Sequence, residues 1–217
     1  MLFFIKNFSE NDFRERFQDL LKIPVSIFVD YLPSPEEISA NPLNIMIHQE
    51  PNEYTQVHDW TIQYQHLFSL ILTWNDKVLH HCPHADFMPF GHSWLQSNQI
   101  EKPRAKRFEI AHLCGKLLLT HGHHMRHEIL HRQDEIHIPK NFHYTIGNRY
   151  DIADARLGKE TVFAESQFGI AVENTSHRGY FTEKILDCFL FRTIPFYWGC
   201  SNIGDFFDTN GIIRFEN

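Results

Sequence analysis

Between Phe168 and Leu190 the chain leaves itself few folds. An apolar run, Phe168 to Val172, gives way to the polar stretch Glu173-Asn174-Thr175-Ser176-His177-Arg178-Gly179. Ile185, Leu186, Phe189 and Leu190 then follow at helical spacing. That order reads as strand, loop, helix. Thr182 is the N-cap candidate, which puts Lys184 in the first helical turn. A lone cation there opposes the helix dipole, at a cost of a few tenths of a kcal/mol or about 1 kcal/mol; Glu183 beside it offsets part of this. The placement is rational if an anion binds, because backbone N–H groups and a lysine ammonium then converge on a phosphate.

The same alternation recurs along the chain. Phe13, Phe17, Leu20 and Leu21 lie at helical spacing, and Val25 to Val29 reads as a strand. Pro33, Pro35 and Pro42 bracket a loop. Leu43 to Ile47 is a second strand, running into His48-Gln49-Glu50-Pro51-Asn52-Glu53. Phe68 to Trp74 is a third, Asn75-Asp76-Lys77 starts a turn or short helix, and Phe87 to Phe90 is a fourth strand. Ser97 to Arg107 is polar and poor in apolar residues, and the domain boundary is placed there. Phe108 to Cys114 is then a strand, His124 to Arg132 a helix, and strand, helix, strand follow at 168–172, 183–192 and 194–198, with Ile212 to Phe215 last. Strands and helices alternating in this way predict an α/β fold with parallel sheets, divided into residues 1–100 and 101–217.

Composition narrows the function classes. The net charge of −7 argues against nucleic acid and anionic membrane as partners, while leaving room for a local basic pocket. The 4 cysteines are far apart, without a CxxC pair. Disulfides and reduced, buried thiols both remain open, the latter being the simpler reading. Met1-Leu2-Phe3-Phe4-Ile5-Lys6 is too short an apolar run for a signal peptide or membrane anchor, so the expectation is a cytoplasmic protein without a transmembrane segment.

Three pieces, Val172-Glu173-Asn174, Tyr180-Phe181-Thr182-Glu183-Lys184 and Ile194-Pro195-Phe196-Tyr197-Trp198-Gly199, resemble in kind and spacing the donor-binding motif of the alpha-1,3/4-fucosyltransferase family. The resemblance covers residues 105–217, extends more weakly over 43–95, and is absent from the first 40. It implies a GT-B-like fold, with two small Rossmann-like domains whose parallel sheets face a central cleft. The nucleotide-sugar donor would then bind the C-terminal domain and the glycan acceptor would lie nearer the N-terminal one. It implies transfer of fucose from GDP-fucose to an acceptor hydroxyl with inversion, with no cofactor and no required divalent metal, although Mg²⁺ or Mn²⁺ would be free to stimulate. Animal and plant members are Golgi-anchored, so this chain looks more bacterial or viral, or trimmed. Members usually continue beyond the last strand into further helices, so a shortened or minimal version is expected.

The resemblance also assigns roles. Lys184 and Arg126 would hold the pyrophosphate; otherwise Lys184 is a surface lysine, and Arg126 pairs with Glu128 or Glu135. Glu183 would hydrogen-bond the ribose, or simply cap the first turn. Asn174 would order its loop or touch the sugar donor, Tyr180 would pack near sugar or phosphate or anchor the loop, and Glu173 would support them. Glu50 would be the general base, with Glu53 a competing carboxylate and Pro51 a departure from the family pattern. One base suffices for inversion, so a two-carboxylate covalent mechanism is not required. The 16 histidines cluster at His80-His81-Cys82-Pro83-His84 and His121-Gly122-His123-His124, with no familiar metal spacing and no HExxH. His123 and His124, if protonated, would flank the phosphates.

Three rival readings follow from the same residues. A transferase using another GDP- or UDP-sugar shares the pyrophosphate site. A non-catalytic nucleotide- or glycan-binding domain would bind without turnover. A metal-storage or metal-sensing protein would use the histidines.

Overall fold

The computed structural model describes residues 2–5, 24–91, 93, 95, 104–145 and 155–216. It divides into two units, Met1–Phe90 and Gly91–Asn217. The division falls before the polar stretch at 97–107, most of which lies outside the described residues, as does the helix expected over 12–22.

The first unit is built on a five-stranded parallel sheet, β1 (Leu2–Ile5), β2 (Val25–Val29), β3 (Leu43–Ile47), β4 (Leu70–Thr73) and β5 (Ala85–Phe87), in that spatial order. β2 is buried along its whole length, as a strand covered on both faces should be. Strand alternation sorts the apolar residues into two clusters. Phe28, Met46 and Ile71 pack with Val57, Phe68, Val78 and Cys82, whereas Val25, Ile27, Val29 and Ile47 pack with Ile45 and Leu72. Each fully buried side chain of this kind contributes about 1.5–3 kcal/mol.

The connections carry short helices, α1 (Pro35–Ser39), α2 (Asn52–Thr55), α3 (Val57–Gln63) and α4 (Asp76–His81). α1 replaces the loop expected between Pro33 and Pro42. Ser34 and Glu37 form a reciprocal capping box, and Pro35 occupies the first turn, where its missing N–H costs nothing. α4 starts where Asn75 accepts from the N–H groups of Lys77 and Val78. The last strand lies at Ala85–Phe87 rather than 87–90.

The second unit contains β6 (Arg107–Gly115), α5 (His121–His131), β7 (Lys140–Thr145), α6 (Ala155–Phe163), β8 (Ser166–Val172), α7 (Glu183–Leu190), β9 (Ile194–Trp198) and β10 (Ile213–Arg214). All pairings are parallel, in the order β10-β9-β8-β6-β7. Ile185 and Cys188 of α7 and Val162 and Phe163 of α6 pack on one face, with Ala111, Ala171 and Tyr197. Met125 and Ile129 of α5 pack on the other, with Ile110, Ile170 and Val172. Helices therefore cover both faces, and the sheet is doubly wound. From β6 the chain first builds outward to β7, then returns to place β8 on the opposite side. The β6–β8 junction is the topological switch point, where the carboxyl ends of such sheets bind ligands. β7 and α6 have no counterpart in the expected elements.

All four cysteines are free and buried. No helix among the described residues is long and apolar enough to cross a membrane.

His48, just beyond β3, and His112, within β6, are both fully buried. The ring of His48 in the first unit is bonded to Thr73 Oγ1 at 3.1 Å and Thr61 Oγ1 at 3.0 Å, and is stacked on His58 at 4.2 Å. Burial, then the neighbouring His58, hold His48 well below the usual imidazole range. Burial pushes His112 of β6 down to about 4. Such a histidine binds its proton more weakly folded than unfolded. The stability it contributes is full above the unfolded value near 6.5 and is lost as pH falls toward the folded one. For His112 the loss is about 1.4 kcal/mol at pH 5.5, one pH unit below the unfolded value. Thermal denaturation is therefore expected at a lower temperature at pH 5.5 than at 7.5. An unchanged midpoint would show that these imidazoles are not held neutral.

Candidate functional site

Two chain segments meet at the switch point. The first leaves β6 and enters α5. The second leaves β8 at Glu173 and Asn174 and enters α7 at Thr182. Gly122 joins them: its N–H donates to Asn174 O at 3.0 Å. A Cβ at Gly122 would lie 1.7 Å from Glu173 O, so only glycine lets the first turn of α5 seat against that backbone.

Glu173 is fully buried. Its Oε1 accepts the Thr182 N–H at 2.8 Å and its Oε2 the Thr182 hydroxyl at 2.6 Å, which ties the start of α7 to the end of β8. Gly199, with φ +155°, passes so close that a Cβ would lie 2.3 Å from Glu173 Cγ. Burial raises the Glu173 carboxyl above the usual range, and Lys184 opposes the shift. The Lys184 ammonium donates to Thr182 Oγ1 at 3.0 Å and lies 3.7 Å from Glu173 Oε2 and 3.5 Å from Glu183 Oε1. It is compensated further than the partial offset by Glu183 expected from sequence position. Its side chain is still 24% exposed. Glu183 also lies 4.0 Å from Lys159 of α6, whose ammonium is 2.5 Å from the buried Asp187. Ser93 also donates to Asp187, at 2.6 Å.

Arg126, on α5, is buried. One guanidinium nitrogen donates to Val172 O at 2.5 Å and another to Asn174 Oδ1 at 3.0 Å. The surface ion pair weighed from sequence does not form: Glu128 and Glu135 pair with Arg132 instead. Arg126 thus holds the end of β8 and orients Asn174. His123 lies in the same field. Its Nδ1 accepts from the Thr120 N–H at 3.2 Å. Burial, Arg126 and Lys184 together push it down to about 3. Burial and the two neighbouring cations thus disfavour the imidazolium form of His123 here, against the expectation of a protonated ring. His124 is exposed on the next position of the helix. Tyr180 is buried in the loop before α7.

The result is a group with two cations, Lys184 and Arg126, and two carboxylates, Glu173 and Glu183, around the start of α7. One carboxylate is fully internal, and the positive end of the helix dipole adds to the cations. The arrangement suits a polyanion at the outer edge, where Lys184 is reachable. Thr182 and Glu173 were named from sequence, as an N-cap and a supporting residue, but their bond to each other was not, and Gly122 and Asp187 gave no signal, because each acts through a contact across the fold.

Glu50 belongs to the first unit and is half-buried, in the loop after β3. Glu53 is exposed in the first turn of α2. The histidine clusters are engaged locally: His84 Nε2 donates to Gln65 O at 2.8 Å and His81 Nδ1 to Lys77 O at 2.7 Å. Among the described residues no three His, Cys, Asp or Glu side chains converge as a metal site.

No protein-family model matches the chain. Among curated proteins, the alpha-(1,3)-fucosyltransferase FucT of Helicobacter pylori is 34% identical over 56 residues, and the two are homologous over that stretch. The stretch is 26% of this chain and only 12% of that protein. Among solved structures, an alpha1,3-fucosyltransferase aligns with a TM-score of 0.63 at 15% identity, over 100% of this chain and 74% of its own. An alpha1,3-fucosyltransferase solved with GDP-fucose aligns at 0.54 and 17% identity, over 89% of this chain and 62% of its own. At these identities the likeness is one of fold, and the expected α/β class with parallel sheets agrees with it.

Proposed function

We propose that this chain is a glycosyltransferase that takes fucose from GDP-fucose and transfers it, with inversion, to a hydroxyl of a glycan acceptor. The observation that carries the reading is the placement of Lys184, Glu183 and the Arg126–Asn174 pair at the switch point of a doubly wound sheet. The homology to a fucosyltransferase supports the choice of sugar.

In this reading the second unit binds the donor and the first binds the acceptor. Leaving-group charge is met by fixed cations and N–H donors rather than by mobile water. Lys184 contacts the pyrophosphate directly. Arg126 acts from beneath, adding its field and fixing Asn174. Glu183 accepts from the ribose hydroxyls, held between Lys184 and Lys159. Tyr180 packs the loop that carries them. Glu50 takes the acceptor proton as its oxygen attacks the anomeric carbon and the bond to GDP breaks. The reading uses no cofactor or obligatory metal, and a cytoplasmic location goes with it.

Calorimetry with GDP, GDP-fucose and UDP tests the proposal. GDP and GDP-fucose should bind more tightly than UDP. Lys184→Ala should weaken them by about 1.5–3 kcal/mol, the value of a charged hydrogen-bond partner, or roughly 10- to 150-fold in Kd. Equal affinity for UDP would favour a transferase of another sugar nucleotide, since the cations read diphosphate and not base. No effect of Lys184→Ala would remove the site assignment.

A further inference from the structure

We propose that Asp30 is the positioning residue for the catalytic carboxylate of Glu50; the inference rests on the reading of Glu50 as the base. Asp30 stands just beyond β2, 5% exposed, with φ +47°. This left-handed conformation is one that Asp tolerates better than most side chains. Its own N–H donates to Ile47 O at 3.0 Å, locking it beside the end of β3. From there the carboxylate reaches the next loop. Oδ1 accepts the Gln49 N–H at 3.0 Å and Oδ2 the Glu50 N–H at 2.9 Å.

The two carbonyls of the same dipeptide are also held by side chains. Trp74 Nε1 donates to Gln49 O at 3.0 Å and His58 Nε2 to Glu50 O at 3.0 Å. All four backbone polar groups of Gln49 and Glu50 are therefore bound by side chains from three other segments. A loop built only to connect β3 to α2 has no need of this. Loops ordinarily leave their backbone to water, and a buried carboxylate is costly unless it is hydrogen-bonded. The consequence is that the Glu50 Cα is fixed to the sheet, and its side chain starts from a rigid origin. A proton acceptor must be held to a fraction of an ångström for the transfer to be efficient.

Asp30→Asn tests this. The amide keeps the shape but turns an N–H₂ group toward a backbone N–H, so one strap is lost. With the full chain, GDP-fucose and a panel of free glycans as acceptors, kcat should fall by on the order of 10- to 100-fold, the cost of misplacing a reacting group. GDP affinity should stay at the wild-type value, because those residues lie in the other unit. In the Glu50→Gln background the same change should cost nothing further, whereas a purely structural role would add. Backbone amide exchange gives a reading independent of turnover: it should quicken at Gln49 and Glu50 in D30N. Wild-type kcat in D30N with a crippled E50Q, or unaltered exchange at both amides, overturns the role of Asp30. Wild-type kcat in E50Q overturns the assignment of the base instead.

Discussion

Glu50→Gln is expected to lower kcat by about 10²- to 10⁴-fold, the usual worth of a positioned general base. The change removes the proton acceptor and little else: the glutamine is isosteric, and the backbone of residue 50 stays strapped by Asp30 and His58. Lys184 and Glu183 lie in the other unit, so calorimetric affinity for GDP should be unchanged. Glu53→Gln is the matched control. Glu53 is exposed in the first turn of α2, where a carboxylate interacts favourably with the helix dipole, and this variant should turn over at the wild-type rate. If E53Q is the crippled variant and E50Q is not, the roles of the two carboxylates are exchanged. If neither is impaired in a preparation that binds GDP, the base lies elsewhere.

Much of the second unit was legible because its elements are long and strongly patterned. The run from Phe168 to Val172 reads as a buried parallel strand, and it is one. Thr182 reads as an N-cap, and its hydroxyl accepts from the Lys184 N–H. β7 was not legible. As an edge strand it places Lys140, Asn141 and His143 among its six residues, and its pattern is that of a polar loop. α1 was hidden by its prolines, although Ser34 and Glu37 carry a capping-box signature that could have been read. The site was legible as residue types, but its connections were not. No spacing tells that Glu173 bonds Thr182 across nine positions, that Arg126 spends its fork on Val172 and Asn174, or that Asp30 holds Glu50 from twenty residues away. These bonds join segments brought together by sheet order, and sheet order is set by the whole chain.

Gly122→Ala is expected to be the most damaging single methyl in the second unit. Its Cβ would sit 1.7 Å from Glu173 O and 2.9 Å from Asn174 O, both backbone atoms that cannot rotate away. The first turn of α5 would have to lift, stretching the Gly122 N–H to Asn174 O bond and disturbing the packing of Met125 with Val172. Overpacking of this kind costs about 1–3 kcal/mol, and the lost buried hydrogen bond about 1 kcal/mol more. The sum, about 2–4 kcal/mol, corresponds to a fall of roughly 10 °C in thermal midpoint for a unit of this size. Ordinarily alanine is the better helix former by about 1 kcal/mol, so a loss of stability here would isolate the clash. Gly211→Ala supplies the contrast: nothing lies within 4 Å of its Cβ, and it should melt with the wild type. GDP binding adds a second reading, because lifting α5 moves Arg126 off Asn174. A G122A protein that melts low and also binds GDP weakly at a temperature where it is folded ties the α5 seat to the site. One that melts low but binds GDP normally confines Gly122 to packing, and leaves Lys184 to hold the nucleotide without help from α5.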